Sequence, residues 1–343
     1  MLLAIESSCD ESALALFEPG RGLVGEWISS QVSLHAEYGG VVPDLASREH
    51  LNNFGPLLKE ARSANGFDRI DEIAVTTGPG LAACLAMGLS VAKALAVAWQ
   101  VPVYGVNHLR AHAHSPFLPV YETDPEAFDA NLEKDLLPHL SLVVSGGNTL
   151  LARIDTDRSL KLLGSTIDDA AGEALDKGAK LLALGYPGGP KLEKLAAGGD
   201  AKAYGFPRAL MDKKRLDFSF SGLKTSLRYQ LEKMDTQAVE RELSHLCSSY
   251  QEAVVDALIR KTDIALKRGG YKSIGLSGGV SNNGNLRHRF EQLAKRRQVK
   301  SLLAQRCHTG DNAGMIAFSH VFEKSRQTRE LDVYPALQIE QLG

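Results

Sequence analysis

Two histidines, His108 and His112, carry the strongest chemical signal in the sequence. Asn107 precedes them and is a favourable helix N-cap, so the two imidazoles are predicted to lie one turn apart on one face of a helix. Two imidazoles at this spacing can bind one divalent metal ion if a third ligand comes from elsewhere in the chain. The spacing alone leaves open that both histidines are surface or helix-terminal residues.

The same spacing occurs in zinc metalloproteases, in which a general-base glutamate directly follows the first histidine. Leu109 stands at that position here, so a peptide hydrolase would lack its base and is excluded. The candidate third ligand is Asp311, which lies where a polar turn precedes an apolar helix predicted over residues 315–321. The alternative is that Asp311 or Asn312 only caps this helix.

Two further acidic sites could take part in chemistry. Glu6, Asp10 and Glu11 lie with three serines in one turn between apolar strands. That composition suits phosphate or metal chemistry, although a plain polar hairpin has it too. Asp176 lies on a predicted helix that is followed by the rigid turn 186–190. A carboxylate there could accept hydrogen bonds from ribose hydroxyls.

Three apolar strands end at glycine-rich turns. These turns are Gly78-Pro79-Gly80, Ser145-Gly146-Gly147 and Ser277-Gly278-Gly279. Ligands of open α/β sheets bind beyond the carboxyl ends of the strands, where glycines let backbone N–H groups approach a phosphate. We therefore expect two related halves that face one nucleotide, with ordinary turns as the alternative. The alternation of strand and helix patterns predicts an α/β architecture with largely parallel sheets.

Length, composition and charge limit the class of protein. The chain has 343 residues, which suits two domains, and its 44% hydrophobic and 23% charged residues are typical of a soluble globular protein. The formal net charge of -2 gives no overall positive field. Any nucleic-acid contact must therefore come from local patches such as Lys213-Lys214-Arg215 and Lys295-Arg296-Arg297.

Cysteine usage and hydropathy predict a cytoplasmic protein. The four cysteines form no CxxC pair, which favours a reducing compartment. The N-terminal residues lack the basic region of a signal peptide. The most apolar stretch, residues 80–106, contains Lys93 and Pro102 and is interpreted as a buried helix (81–99) followed by a buried strand (101–106). No membrane span is expected.

Taken in order, these motifs resemble the universal tRNA threonylcarbamoyladenosine transferase family. The matching stretches cover nearly the whole chain, and several have no common alternative source. They are IESSCDES at 5–12, SQ at 30–31, HAEYGGVVP at 35–43, ASR at 46–48, TGPGL at 77–81, His108 and His112, VSGG at 144–147, IDDAAGEA at 167–174, DK at 176–177, YPGGP at 186–190, FSFSGLKT at 218–225, GGVS at 278–281, Asn283, and DN at 311–312.

The resemblance implies an α/β, two-domain fold of the actin, sugar-kinase and Hsp70 type (the ASKHA fold) with duplicated βββαβαβα halves. Residues 1–115 are expected to form an N-terminal actin-like ATPase subdomain, which a C-terminal helix at about residues 313–329 joins. Residues 116–138 are rich in Pro, Asp and Glu without clear periodicity, so they are predicted to be a loop or linker. Residues 139–312 are expected to form a second actin-like subdomain with a helical insertion.

The resemblance also implies an activity and partners. Members of the family move the threonylcarbamoyl group of threonylcarbamoyl-AMP to the exocyclic amine of the adenosine 3′ of the anticodon, in tRNAs that read codons beginning with adenine, and they release AMP. Bacterial members work with a paralogous partner subunit and a small ATPase. One divalent metal ion, iron or zinc, is expected as cofactor, with iron favoured.

Site residues follow from the matching positions. The metal ligands would be His108, His112 and Asp311. The substrate-binding residues would be Val143, Val144, Ser145, Gly146, Gly147, Asp176, Gly189, Glu193 and Asn283. We hypothesise that Asp10 or Glu11 takes the proton of the attacking amine.

The sequence departs from the bacterial pattern at a few positions near these residues. Arg110 and Ala111 replace the usual Glu and Gly, Asn148 replaces a His, and Gly310 replaces a Thr. Arg110 beside a cation site is expected to change metal affinity. Two alternatives to the transferase are a small-molecule kinase or ATPase of the same fold and a non-catalytic scaffold paralogue.

Overall fold

Strands and helices alternate along the chain, as the apolar pattern predicts. The computed structural model describes residues 1–65, 67, 69–210, 212, 214–323 and 331–342. The strands are β1 Leu2–Glu6, β2 Glu11–Glu18, β3 Gly22–Ser30, β4 Glu72–Gly78, β5 Val103–Asn107, β6 His139–Val144, β7 Thr149–Ile154, β8 Leu160–Ser165, β9 Ser273–Ser277 and β10 Lys300–Leu303. The helices are α1 Val32–Ala36, α2 Pro43–Asn65, α3 Ala82–Trp99, α4 His108–His114, α5 Leu118–Thr123, α6 Phe128–Asn131, α7 Ala171–Leu181, α8 Gly188–Ala196, α9 Ser221–Leu231, α10 Thr236–Lys267, α11 Gly284–Arg297 and α12 Ala313–Glu323.

The two sheets have the same topology. The first has the strand order β3-β2-β1-β4-β5 and the second β10-β9-β6-β7-β8, so each reads 3-2-1-4-5 when its own strands are counted in chain order. In each, the first strand pairs antiparallel with the second and parallel with the fourth. This repetition confirms the predicted α/β fold with duplicated halves.

The chain divides into two compact units. Unit 1 contains Met1–Asp135, Asp155–Lys161 and the described part of Ala304–Gly343, and unit 2 contains Leu136–Ile154 and Leu162–Leu303. In unit 1, apolar side chains of β1, β2 and β4 pack against α2 and α3. In unit 2, the strands β6 and β9 pack against α7 and α10. Helix α12 belongs to unit 1, and residues 324–329 of the helix predicted there lie outside the described residues.

Residues 116–138 differ from the predicted loop or linker. They form α5, α6 and short turns of 3₁₀ and π helix over Ser115–Phe117 and Leu132–Leu136. Tyr121 and Phe128 are buried and contact Phe318 of α12, with ring centroids 5.6 Å and 6.0 Å apart. Prolines and acidic residues interrupt the apolar spacing in this segment, so the sequence shows no helical periodicity there. Its burial against α12 stabilises helical turns that are too short to persist alone.

Helix α3 occupies the predicted position but is buried on one face only. Leu89 and Ala92 pack into the core of unit 1, whereas the side chain of Val97 is 81% exposed. Among the described residues, α3 is the one helix long and apolar enough to cross a membrane, with a mean hydropathy of 1.7. Core helices of soluble proteins meet the same criterion.

Candidate functional site

The two histidines enter the fold at the junction of β5 and α4. The side-chain oxygen of Asn107 accepts hydrogen bonds from the backbone N–H groups of Leu109 (2.9 Å) and Arg110 (3.3 Å), which confirms the predicted N-cap. His108 and His112 therefore share one face of α4, with ring centroids 4.7 Å apart. Both are buried, at 5% and 1% exposure, so neither is a surface residue.

Asp311 meets both imidazoles. Its Oδ1 lies 3.4 Å from Nε2 of His108 and 3.1 Å from Nε2 of His112. One nitrogen from each histidine and one oxygen of Asp311 all lie within 4.8 Å of one another, and we call these three residues the ligand group. All three belong to unit 1.

The neighbouring Asn312 resolves the alternative that Asp311 is only a cap. The side-chain oxygen of Asn312 accepts from the backbone N–H of Met315 at 2.8 Å, so Asn312 caps α12. Glu26 of β3 supports the same loop, because it accepts from the N–H of Gly314 at 2.7 Å. The carboxylate of Asp311 is left to face the histidines. Sequence reasoning missed Glu26, since its strand is distant in the chain.

The ligand group is electrostatically polarised. Burial alone would raise the pKa of Asp311, but the adjacent His108 and His112 outweigh it and lower that pKa. Burial alone would lower the pKa of His108, but Asp311 and the buried Glu6 hold it well above its ordinary value. Burial lowers the pKa of His112.

The donor set fits a divalent metal ion. Two imidazole nitrogens and one carboxylate oxygen are ligands that both zinc and iron accept. Nδ1 of His112 is buried and has no hydrogen-bond partner among the described residues, so this ring makes its polar contact through the Nε2 that faces Asp311. Nδ1 of His108 is held by Glu6 at 3.1 Å, which leaves its Nε2 for a ligand bond.

Arg110 does not point its charge at the ligand group. Its guanidinium contacts the carboxylate of Glu323 and donates to the backbone carbonyl of Ile339 at 3.1 Å. Arg110 lies midway in sequence between His108 and His112, and its charge is neutralised by Glu323. Arg110 therefore makes no direct contact with the ligand group through which it could change metal affinity as predicted.

The turn between β1 and β2 carries Asp10 and Glu11. Oε1 of Glu11 accepts from the hydroxyl of Ser30 at 2.8 Å, and Oε2 is buried without a hydrogen-bond partner among the described residues. Burial, reinforced by the charge of Asp10, raises the pKa of Glu11 to about 8. Burial likewise raises the pKa of Asp10. Neither carboxylate makes a hydrogen bond to the ligand group in the described part of the chain.

Two of the glycine-rich turns meet in unit 2. Val143 and Val144 end the buried strand β6, and Ser145, Gly146 and Gly147 form the turn that follows. A Cβ on Gly278 would lie 2.3 Å from the carbonyl oxygen of Val144, and its φ of +86° also favours glycine. The Ser277-Gly278-Gly279 turn therefore packs directly beside the end of β6.

The third turn serves a different purpose. A Cβ on Gly78 would lie 2.0 Å from the carbonyl oxygen of Tyr334, and the N–H of Gly80 donates to the carbonyl of Pro335 at 3.2 Å. The glycines of this turn admit residues of the same chain. The expectation that all three turns approach one nucleotide is wrong for Gly78-Pro79-Gly80, because Pro79 has no N–H and the N–H of Gly80 is already paired with Pro335.

The remaining predicted substrate residues form two small contacts in unit 2. Oδ1 of Asp176 accepts from the N–H groups of Gly188 and Gly189, both at 2.9 Å. Oε1 of Glu193 accepts from the N–H of Gly284 at 2.7 Å. Asn283, next in sequence to Gly284, caps α11 through Leu286 (3.0 Å).

Comparison with known proteins identifies relatives over nearly the whole chain. A family model described as tRNA N6-adenosine threonylcarbamoyltransferase matches residues 22–318. Proteins of that name from Trichlorobacter lovleyi and from Anaeromyxobacter sp. are each 46% identical to this chain. The first alignment covers 92% of this chain and 90% of the relative, and the second covers 98% of both.

Solved structures share the fold at low sequence identity. Full-length HypF, in a phosphate- and nucleotide-bound form, superposes with a TM-score of 0.61 at 13% identity. That match covers 94% of this chain and 46% of HypF, so this chain spans about half of that protein. The activator of the 2-hydroxyisocaproyl-CoA dehydratase from Clostridium difficile, with bound ADPNP, gives a TM-score of 0.50 at 13% identity, over 96% of this chain and 98% of the activator.

Proposed function

Because the chain belongs to the tRNA N6-adenosine threonylcarbamoyltransferase family, we propose that it transfers a threonylcarbamoyl group from threonylcarbamoyl-AMP to tRNA. The acceptor is the exocyclic amine of the adenosine 3′ of the anticodon, in tRNAs that read codons beginning with adenine. The observation that carries the proposal is the ligand group, in which two buried histidines and the half-buried Asp311 lie together.

The ligand group is proposed to hold one divalent ion, with iron favoured by resemblance and zinc as the alternative. His108 and His112 would each supply Nε2, and Asp311 would supply Oδ1. When bound, such an ion supplies Lewis acidity and a template for the threonylcarbamoyl unit. The two rings have different surroundings, because Oε2 of Glu6 lies 3.1 Å from Nδ1 of His108, whereas Nδ1 of His112 has no hydrogen-bond partner among the described residues.

Unit 2 is proposed to bind the adenylate. The positions of Gly146 and Gly147 are open, since a Cβ at either would meet no atom within 4 Å. Their backbone N–H groups can therefore approach a phosphate closely and stabilise the negative charge that develops on departing AMP. Asp176, Gly189, Glu193 and Asn283 are proposed to contact the nucleoside part. Asp176 and Glu193 each use one oxygen on backbone N–H groups, which fixes the direction of the other oxygen.

The transfer itself makes one bond and breaks one. The adenosine N6 attacks the carbamoyl carbon, the bond from that carbon to the phosphate oxygen breaks, and AMP leaves with the electron pair. One proton of the amine must be removed. We propose Glu11 as the acceptor of this proton and Asp10 as the alternative, because a carboxylate whose pKa is raised to about 8 is, once ionised, a stronger base than an ordinary carboxylate.

Partners and location are proposals of the same kind. Phosphate contacts with tRNA are assigned to basic clusters such as Lys295-Arg296-Arg297 at the end of α11, and Lys213 of the second cluster lies outside the described residues. A paralogous partner subunit and a small ATPase would complete the assembly. The expected location is the cytoplasm.

Single-turnover transfer tests the proposed function. Purified protein and partners would be mixed with unmodified tRNA and chemically made threonylcarbamoyl-AMP, and modified adenosine and AMP would be quantified. His112→Ala should lose most product, because it removes one of three ligands. The matched control is His320→Ala, which removes a buried histidine of α12 outside the ligand group and should keep activity.

The same assay separates the alternatives. A small-molecule kinase would release ADP from ATP in place of AMP from the adenylate. A scaffold paralogue would give no product by itself. In its complex, wild type and His112→Ala would support the same activity. Wild-type protein that makes no product with metal and partners present would contradict the transferase proposal.

A further inference from the structure

We propose that Glu6 is a positioning residue for the metal site: its carboxylate fixes the tautomer and the ring orientation of His108, so that Nε2 of His108 is the ligand atom. The inference rests on the proposed metal role of the ligand group and adds to it a residue outside the three ligands. Glu6 ends β1, and the sequence grouped it only with the acidic turn that follows.

The carboxylate of Glu6 is fully buried and fully engaged. Oε1 accepts from the backbone N–H of Ser8 at 2.5 Å, and Oε2 accepts from the hydroxyl of Thr76 at 2.5 Å. Oε2 also lies 3.1 Å from Nδ1 of His108. The exposed fraction of Glu6 is 0%, so water cannot replace these contacts. The turn after β1 and the strand β4 together therefore hold the carboxylate in one orientation.

This arrangement determines which nitrogen of His108 carries the proton. An ionised carboxylate only accepts hydrogen bonds, so the contact requires a proton on Nδ1. The lone pair of the neutral ring is then on Nε2, the atom that faces Asp311 at 3.4 Å. The hydroxyl of Ser8, 3.2 Å from the same Nδ1, can donate or accept and does not decide the tautomer by itself.

The two histidines differ in this respect. Nδ1 of His112 is buried and has no hydrogen-bond partner among the described residues. His108 thus has a carboxylate behind it and His112 has none. Carboxylates that hydrogen-bond to metal-binding histidines orient the ring and raise its basicity, and their loss weakens metal binding about 10–100-fold. Loss of Glu6 should act on His108 alone.

Metal titration of the purified full chain tests the inference. Co²⁺ and Zn²⁺ affinities would be measured by competition with a chromophoric chelator for wild type, Glu6→Gln, Glu6→Asp and His112→Ala. Gln keeps the shape of Glu but can donate to Nδ1, which favours the tautomer with a proton on Nε2 and blocks the ligand atom. We expect metal affinity about 10–100-fold weaker in Glu6→Gln and a partial recovery in Glu6→Asp.

A matched control exists on the same unit. Oε2 of Glu72 lies 3.3 Å from Nε2 of His320, so Glu72→Gln alters a second carboxylate–histidine pair that is outside the ligand group. Its metal affinity should stay within about twofold of wild type, below the range expected for a lost orienting contact. Equal affinities of wild type and Glu6→Gln, with a weakened His112→Ala, would overturn the role of Glu6 and leave the metal site intact. Equal affinities of wild type and His112→Ala would overturn both.

A measurement on wild type keeps the test decisive if Glu6→Gln fails to fold. In zinc-loaded protein with ¹⁵N-labelled histidine, long-range ¹H–¹⁵N spectra distinguish a protonated Nδ1 from a metal-bound one. We expect His108 to carry its proton on Nδ1. A spectrum in which Nδ1 of His108 binds the metal and Nε2 carries the proton would overturn the proposal.

Discussion

Glu11 links the acidic turn to the pH dependence of folding. Its pKa in the folded protein, about 8, lies above its ordinary value of 4.5, because of burial and the nearby charge of Asp10. The folded protein therefore binds this proton more tightly than the unfolded chain does. The contribution of Glu11 to stability is complete below pH 4.5 and is lost as the pH rises through 8.

Glu11→Gln should remove this pH dependence, because Gln is neutral throughout. We expect the free energy of unfolding of the variant to exceed that of wild type increasingly as the pH rises from about 5 to 9. Urea denaturation at several pH values measures the difference. If the free energies of unfolding of the two proteins change in parallel with pH, Glu11 has the same pKa in the folded and the unfolded state, which would contradict this prediction. In the transfer assay the same variant should lose the rise of rate with pH if Glu11 takes the proton.

The elements around the ligand group are held from outside by residues 331–342. The side-chain amide of Asn107 donates to the carbonyls of Gln338 (2.8 Å) and Gln341 (2.9 Å), at the start of α4. Arg110 contacts Glu323 and the carbonyl of Ile339. Asn107, which caps α4, thus also anchors this segment to α4.

Arg110→Ala should be strongly destabilising, because it leaves the largely buried carboxylate of Glu323 without its arginine. We expect a loss of about 3–5 kcal/mol in the free energy of unfolding. Hydrogen exchange should rise first in residues 331–342. The double variant Arg110→Ala with Glu323→Gln should lose less than the sum of the two single losses. Additive losses would contradict a coupled pair.

What the sequence could predict depended on local signals. The cap at Asn107 and the position of α3 followed from residues that are neighbours in the chain. The helices of residues 116–138 were missed, because their apolar residues are stabilised by α12, which lies far away in sequence. The contacts of Glu6, Glu26 and Arg110 were missed for the same reason, since each partner comes from a distant element. The Gly78-Pro79-Gly80 turn was wrongly predicted to approach a nucleotide. Close approach to a phosphate and close approach to another backbone both require glycine, so the sequence does not distinguish them.

At the scale of the whole molecule, each unit can be perturbed separately. Gly178 lies on α7 in unit 2, and a Cβ there would come within 2.4 Å of the ring of the fully buried Tyr250. Gly178→Ala should therefore lower stability by about 1–3 kcal/mol. All three ligand residues lie in unit 1, so metal affinity should be unchanged. A weakened metal affinity would contradict this separation.

The tryptophans make this experiment selective. Trp27 and Trp99, the two in the chain, both lie in unit 1, so tryptophan fluorescence follows that unit while circular dichroism follows the helices of both. We expect Gly178→Ala to shift the circular dichroism transition. Gly222→Ala is the matched control in unit 2, because a Cβ on that glycine of α9 would meet no atom within 4 Å. It should be neutral or slightly stabilising.

The composition of the two units has a consequence for the order of events during protein synthesis. Every residue of unit 2 precedes Ala304, whereas unit 1 requires Asp311 and residues 331–342. As the ribosome adds residues from the N-terminus, unit 2 is complete while β1 to β5 still wait for α12. The nascent chain holds two histidines without their aspartate until residue 311 has been added. If the ligand group binds a metal ion as proposed, loading is a late step, and a chain that ends between residues 304 and 310 would contain all of unit 2 and no complete ligand group.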